Sequence, residues 1–327
     1  MLSRVADSVY WMSRYIERAE NVARFIDVNY NLTLGEGNEL SEQWAPLVYA
    51  TGDHEAFAAR YGTPTRENVL HFLAFDRENP NSILSCVSAA RENARAIRET
   101  ISAPMWEQIN TFYLMVRKAV RQGLKVTEPN AFCEAVRQAG HTHVGITYTT
   151  MSHGEAWHFS RIGRLLERAD KTSRIVDVQY FLLLPLADDV GAALDVVRWA
   201  ALLRSASALE MYRRVHGRIT PEKVAEFLIL DPDFPRAMRF CVMRAQQSMQ
   251  AITGSPPGTF RCRSEQQLGR LRAELDYTHI EDVISRGLHA SIDDFQRRVN
   301  DVGAAIHDDF FRLPAPEPAA SPTQLQA

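Results

Sequence analysis

Apolar residues recur along most of this chain at alternating intervals of four and three. Val5, Val9, Met12, Ile16, Ala19, Ala23, Ile26 and Tyr30 keep that spacing, which places them on one stripe of a helix of about 30 residues. Leu288, Ile292, Phe295, Val299, Val302 and Ile306 do the same near the other end, predicting a long helix over about 287–311. No segment alternates apolar and polar positions with β-branched residues, so no strand is predicted. Thr220-Pro221 and Thr63-Pro64 each read as an N-cap followed by proline at the first helical position. Pro104 opens a further helix with Glu107 in its first turn. Glycine and proline mark breaks at 34–38, 123–130 and 254–260. The proline- and alanine-rich stretch 314–327 reads as a disordered tail.

The helical pattern occurs twice. Arg14–Tyr30 matches Arg164–Tyr180 at an offset of 150, with Arg14, Glu17, Arg18, Ala19, Arg24, Asp27, Val28 and Tyr30 identical. From Trp44 the offset becomes 155: Trp44, Ala45 and Leu47 match Trp199, Ala200 and Leu202, and "FLAFDRENP" (72–80) matches "FLILDPDFP" (227–235). A unit this long is no solenoid repeat. The expected fold is all-α: a large helical bundle built from two pseudo-symmetric duplicated halves, about 1–130 and 151–285. No linker-like composition separates the copies near 140–155, so a single domain over 1–313 is expected rather than two.

Composition narrows the class. The chain has 327 residues and a net charge of −3, without the basic excess of a nucleic-acid binder or anionic-membrane binder. The apolar run Tyr180–Ala187 is too short to span a bilayer and contains Pro185. The four cysteines form no CxxC pair. With no signal-peptide pattern at its start, the chain reads as reduced and cytoplasmic.

On a helical projection of the repeated segment, Tyr10, Arg14, Glu17, Asn21 and Arg24 fall opposite the apolar stripe. Tyr10, Trp11 and Phe25 also lie off that stripe, so the helix is expected to be covered on both sides. Pseudo-twofold packing would bring Glu17 and Glu167 near one axis, with Arg14, Arg18, Arg164 and Arg168 around them. Arginine forks suit carboxylates and phosphates; a carboxylate pair could accept a proton or hold a metal. The structural alternative is a self-compensating salt network, since Glu20→Arg24 and Asp170→Arg174 are ordinary i,i+4 helix pairs. A second polar string carries Arg91, Glu92, Asn93 and Arg95, which the other copy replaces with Gln246, Gln247, Ser248 and Gln250. This asymmetry assigns more of a polar wall to the N-terminal copy, unless the string is simply an exposed helix face.

The strings "LSRVADSVYWMSRYIERAENVAR" (2–24), "ARENARAIRETISAPMWEQIN" (90–110) and "FSRIGRLLERADKTSRIVD" (159–177) resemble the Alpha-E family of bacterial helical proteins. The resemblance reaches to about Phe311. It implies an all-α fold named for a characteristic glutamate, with Glu17 and Glu167 as the candidates here. It also implies association with circularly permuted ATP-grasp proteins and transglutaminase-like proteins. ATP-grasp enzymes join a carboxylate to an amine through an acyl phosphate, so the resemblance points to a peptide- or amide-forming system.

Histidines cluster late in the first half, and His141, His143 and His153 are expected in a loop. Glu155 and His158 form the one E-x-x-H pattern. A di-metal bundle site needs two such motifs and two further glutamates, so no metal is expected, with Glu155 and His158 as the weak alternative. No glycine-rich phosphate loop or nucleophile signature occurs, and no cofactor is expected. The expected role is an accessory or substrate-handling component of an amide-ligating system, working with an ATP-grasp partner. Glu17 and Glu167 would be its catalytic candidates, and Arg14, Arg18, Asn21, Arg24, Arg91, Glu92, Asn93, Arg164, Arg168 and Arg174 its anion-binding set. The alternatives are a free-standing enzyme with a Glu17/Glu167 carboxylate site and a purely structural scaffold.

Overall fold

A computed structural model describes residues 1–34, 44–122, 129–183 and 193–312. The breaks expected at 35–38 and 123–128, the apolar run beyond Leu183 and the tail from 313 lie outside the described residues. The first half contains α1 (Ser3–Leu34), α2 (Ala45–Thr51), α3 (His54–Tyr61), α4 (Arg66–Ala74), α5 (Ile83–Ala96), α6 (Ala103–Arg121) and α7 (Asn130–Thr150). The second contains α8 (Glu155–Leu183), α9 (Ala193–Ser205), α10 (Leu209–His216), α11 (Pro221–Leu230), α12 (Met238–Thr253), α13 (Arg263–Asp276), α14 (Ile280–Ser285) and α15 (Leu288–Ile306), closed by a π-helical turn at His307–Phe311. The described residues form no strand, and none of their helices is long and apolar enough to cross a membrane.

Helix boundaries follow the sequence repeat. The first residues of α3, α4 and α5 recur in α10, α11 and α12 at the same offset of 155. That offset carries α7 to 285–305, where α15 lies. The correspondence therefore runs beyond 130 and 285, through a seventh helix, and among the described residues only the six-residue α14 has no counterpart.

The packing explains why both long helices needed two covered sides. α1 and α8 lie against each other at the centre. α5 and α7 flank α1, while α12 and α15 flank α8; α6 and α13 close the outer layer of each half. The short helices cross over, with α2 of the first half on α8 and α9 of the second on α1. The buried apolar side chains form one cluster extending from Val5 to Phe311. Tyr10 and Phe25 are buried despite lying off the apolar stripe, and Trp11 packs at the edge of the same core.

Close approach of α1 and α8 depends on small residues. A Cβ on Gly163 would stand 2.4 Å from the Tyr10 carbonyl oxygen. At the same crossing the Ser13 and Ser160 hydroxyls share a 2.8 Å hydrogen bond. Positions 10 and 13 of the first copy correspond to 160 and 163 of the second, so these two contacts are related by the pseudo-dyad.

The helix starts are correct in two cases and shifted in one. Thr220 caps α11 by accepting from the Lys223 amide, and Ser102 caps α6 just before Pro104. At α4 the cap is Thr65, not Thr63. Thr65 is extended and accepts from the Asn68 amide, while the Thr63 carbonyl accepts from the Asn68 side chain. The expected histidine loop is also corrected. His141 and His143 lie within α7, whose 21 residues run without a break to Thr150, leaving His153 in the four-residue connection to α8.

Candidate functional site

The two Glu-Arg dipeptides of the sequence, Glu17-Arg18 and Glu167-Arg168, meet across the α1–α8 contact and exchange partners. Arg18 donates from Nε to Glu167 Oε1 at 2.7 Å and from Nη2 to Oε2 at 3.0 Å. Arg168 donates from Nε to Glu17 Oε1 and from Nη2 to Oε2, both at 2.8 Å. Each pair is a two-pronged fork, the strongest neutralising geometry available to a carboxylate. Glu17 and Glu167 are 1% and 0% exposed, so neither charge could persist without such a partner.

A second tier follows the same dyad. Asn21 reaches Glu17 Oε1 at 3.0 Å, and its counterpart Lys171 lies 3.7 Å from Glu167 Oε1. Arg24 bonds Glu20 through Nε and Nη2, as Arg174 bonds Asp170 through Nε. Beyond them, Arg24 bonds Ser207, and Arg174 reaches toward Gly52. Ser207 and Gly52 both have positive φ, 50° and 80°. They occupy equivalent turns, each lying by the arginine of the other half.

The symmetry fails at two linked positions. Arg14 donates from Nε to Glu167 Oε2 at 2.9 Å. Its counterpart Arg164 has no hydrogen-bond or ion-pair partner among the described residues. Asn81 accepts from Arg18, but its counterpart is Arg236. Arg236 bonds Glu17 Oε1 at 3.2 Å, Asn21 Oδ1 at 3.1 Å and Glu20 Oε1 at 2.5 Å. Arg236 thus takes up the acceptor capacity on Glu17 that Arg164 would otherwise use.

The charge balance of this buried cluster is uneven. Its cations are Arg14, Arg18, Arg24, Arg164, Arg168, Lys171, Arg174 and Arg236; its carboxylates are Glu17, Glu20, Glu167 and Asp170, with Asp53 at the edge through Asn81. Burial alone would raise the pKa of Glu17, but the guanidiniums of Arg168 and Arg236 outweigh it and hold it below the usual carboxylate range. The same balance, struck by Arg18 and Arg14, holds Glu167 well below that range. Burial and the Arg168 charge push Arg164 down to about 10. At neutral pH Glu17, Glu167 and Arg164 are therefore charged.

Arg14, Arg18, Asn21, Arg24, Arg164, Arg168 and Arg174 therefore come together around Glu17 and Glu167. Arg91, Glu92 and Asn93 do not. Arg91 bonds Asn110 and Glu92, and its guanidinium lies over the Trp106 and Tyr113 rings. That string belongs to the contact of α5 with α6, apart from the cluster. Glu155 accepts from the Met1 amine at 2.7 Å, and among the described residues no group of three His, Cys, Asp or Glu is placed to hold a metal. Sequence reasoning missed Arg236, Asn81, His141 and the Ser13–Ser160 pair. For Arg236 the signal was available: offset 155 sets it against Asn81, one residue past the matched "ENP" and "DFP".

Comparisons with known proteins agree with the all-α fold. A family model named Alpha-E, described as a predicted alpha-helical domain with a conserved ER motif, matches residues 1–311. The dipeptide Glu-Arg occurs in this chain only at 17–18 and 167–168. An uncharacterized protein of Mycobacterium bovis is 23% identical over 314 residues, covering 88% of this chain and 34% of the relative. An uncharacterized protein of Mycobacterium tuberculosis is 22% identical over the same length, with the same coverage. The chain thus spans about a third of the length of the curated relatives it matches. No solved structure matches.

Proposed function

The chain belongs to the Alpha-E family, and from that premise we propose that it is a helical, non-ATP-binding component that handles an acidic substrate or partner segment in an amide-ligating system served by an ATP-grasp protein. The observation that carries this reading is the cation surplus of the central cluster. A self-compensating brace needs no more cations than carboxylates, whereas here eight face five. The crossed Glu-Arg forks account for the brace, and the surplus accounts for an affinity for anions. Carboxylates are the substrate class of ATP-grasp ligation, and the sequence offers no glycine-rich phosphate loop of its own. About two thirds of each mycobacterial relative lies outside the match, which supports a helical body working beside further domains.

The same geometry speaks against Glu17 or Glu167 as a general base. Both are held ionised below the usual range by arginine forks, so neither would take up a proton near neutral pH. The test is co-purification of the chain with a circularly permuted ATP-grasp protein from the same source, followed by amide-formation assays with and without it. Recovery of the complex and a faster ligation are expected. If neither binding nor ligation responds, the proposal fails.

A further inference from the structure

The pseudo-symmetry of the cluster breaks at Arg164, and the break faces a cavity. Arg14 has Glu167 as its acceptor, but the equivalent acceptor for Arg164 is Glu17, whose two oxygens already receive Arg168, with Arg236 and Asn21 added on Oε1. Arg164 instead lines a cavity of about 40 Å³ between α1, α7 and α8. His143, 3% exposed, lines the same space, and its Nδ1 has no partner. The hydrogen-bonded hydroxyls of Ser13 and Ser160 belong to the wall. His143 Nε2 pairs with the Thr147 hydroxyl at 3.4 Å, so only Nδ1 is open. A half-buried guanidinium with no hydrogen-bond or ion-pair partner among the described residues, beside a buried imidazole nitrogen left open, is unfavourable unless something from outside completes both.

We propose that this cavity binds the terminal carboxylate of a ligand, with Arg164 as its counter-charge and His143, Ser13 and Ser160 as its neutral hydrogen-bonding partners. The proposal rests on the functional reading above for the ligand class and adds its place. The space admits roughly three water-sized groups, which is one carboxylate and not a whole metabolite. The remainder of the ligand lies outside, against Tyr148, which is 64% exposed, and Trp157, whose ring centroid is 6.4 Å from that of Tyr148. Glu17 and Glu20 also line the cavity. Their charges are answered by Arg168, Arg236 and Arg24, so the local field at Arg164 remains positive. Burial lowers the Arg164 pKa to about 10, which leaves it charged at neutral pH.

The test uses the purified full chain at fixed ionic strength. Melting temperature and calorimetric binding are measured with benzoate and N-acetylglycine, with their amides benzamide and N-acetylglycinamide, and with inorganic phosphate. The two carboxylates are expected to bind and raise the melting temperature, and the amides are not. Arg164→Gln should weaken carboxylate binding about tenfold or more, the scale of one charge-assisted fork. Its ligand-free melting temperature should equal or exceed that of the parent, because an unpaired charge has been removed. Arg213→Gln, an exposed control, should bind like the parent. Equal responses to acids and amides, no response to either, preferential binding of phosphate, or unchanged affinity in Arg164→Gln would each overturn the site. Carboxylate binding without recovery of an ATP-grasp complex would instead leave the site standing and remove the ligation reading; the reverse result would do the opposite.

Discussion

Arg18 and Glu167, 149 residues apart in sequence, form a two-pronged pair at 2.7 and 3.0 Å in the buried centre of the molecule. The pseudo-dyad repeats the arrangement with Arg168 and Glu17. Each Glu-Arg dipeptide thus gives its carboxylate to, and takes its counter-charge from, the other half. A buried pair of this kind adds little over a well-packed apolar pair, yet breaking it is costly because one charge remains unanswered. Glu167→Gln should therefore destabilise the protein by about 3–5 kcal/mol, since Arg14 and Arg18 both lose their only carboxylate, while Lys171 keeps Asp170. Glu17→Gln should cost less, because Arg236 keeps Glu20. Chemical denaturation of the two variants checks the order; a larger loss for Glu17→Gln would contradict it.

Gly163 should resist any side chain. An added Cβ meets the Tyr10 carbonyl at 2.4 Å, and backbone cannot swing aside as a flexible side chain can. Gly163→Ala should cost about 1–3 kcal/mol or more as α1 and α8 are forced apart. Gly145, also helical but exposed and with nothing within 4 Å of an added Cβ, is the matched control. Gly145→Ala should stabilise by about 0.5–1 kcal/mol through helix propensity alone. Thermal or denaturant unfolding of the pair gives the signs directly.

Much of this was readable from the sequence because the repeat and the 3.6-residue period are local properties. The eight matched positions between Arg14–Tyr30 and Arg164–Tyr180 announced a pseudo-dyad, and the dyad placed Glu17 and Glu167 among arginines. Periodicity could not say which arginine meets which carboxylate, because the crossed pairing is set by the register of α1 against α8. That register depends on Ser13, Ser160 and Gly163 fitting at one crossing. Arg91 shows the opposite error. Its polar neighbours looked like a wall, but it folds back onto Trp106 and Tyr113, a tertiary contact no projection of α5 alone contains. His141 and His143 were misplaced because a run of polar residues resembles a loop, whereas α7 buries one face through Cys133, Val136, Gly140, His143 and Thr147, at helical spacing.

His143 should make stability fall with acid well before the carboxylates titrate. Burial, with a smaller contribution from Arg164, lowers its pKa from 6.5 to about 4. The unfolded chain therefore binds more protons in that window, so stability rises with pH there. The contribution is complete above the unfolded value of 6.5 and is lost as pH falls toward about 4, a ceiling of roughly 3 kcal/mol at about 1.4 kcal/mol per unit. Glu17, Glu20 and Glu167, held low by their arginines, act in the same direction only below the usual carboxylate range. His158 is lowered as well, while His289 is raised by exposed contact with Asp177 and opposes it weakly. Denaturant midpoints between pH 7 and 4.5 should slope in the parent and flatten in His143→Gln. An unchanged slope would assign the effect elsewhere.

The thiols should divide into three and one. Cys86, Cys133 and Cys241 are buried, and Cys262 is only partly covered. Burial pushes the Cys86 and Cys241 thiols up to about 12 and raises Cys133 further. Since the thiolate is the reactive form, these three are doubly protected, by access and by ionisation. Cys262 is raised too, chiefly by burial, although the Ser264 side chain and the Glu265 amide oppose the shift. A thiol reagent at pH 8 should therefore modify Cys262 first in the native protein and the other three only at the rate of unfolding. Adding denaturant should release all four together. Early labelling of Cys86 or Cys241 would mean that the centre around Arg18 and Arg168 opens locally, and that the crossed Glu-Arg forks do not hold the halves closed.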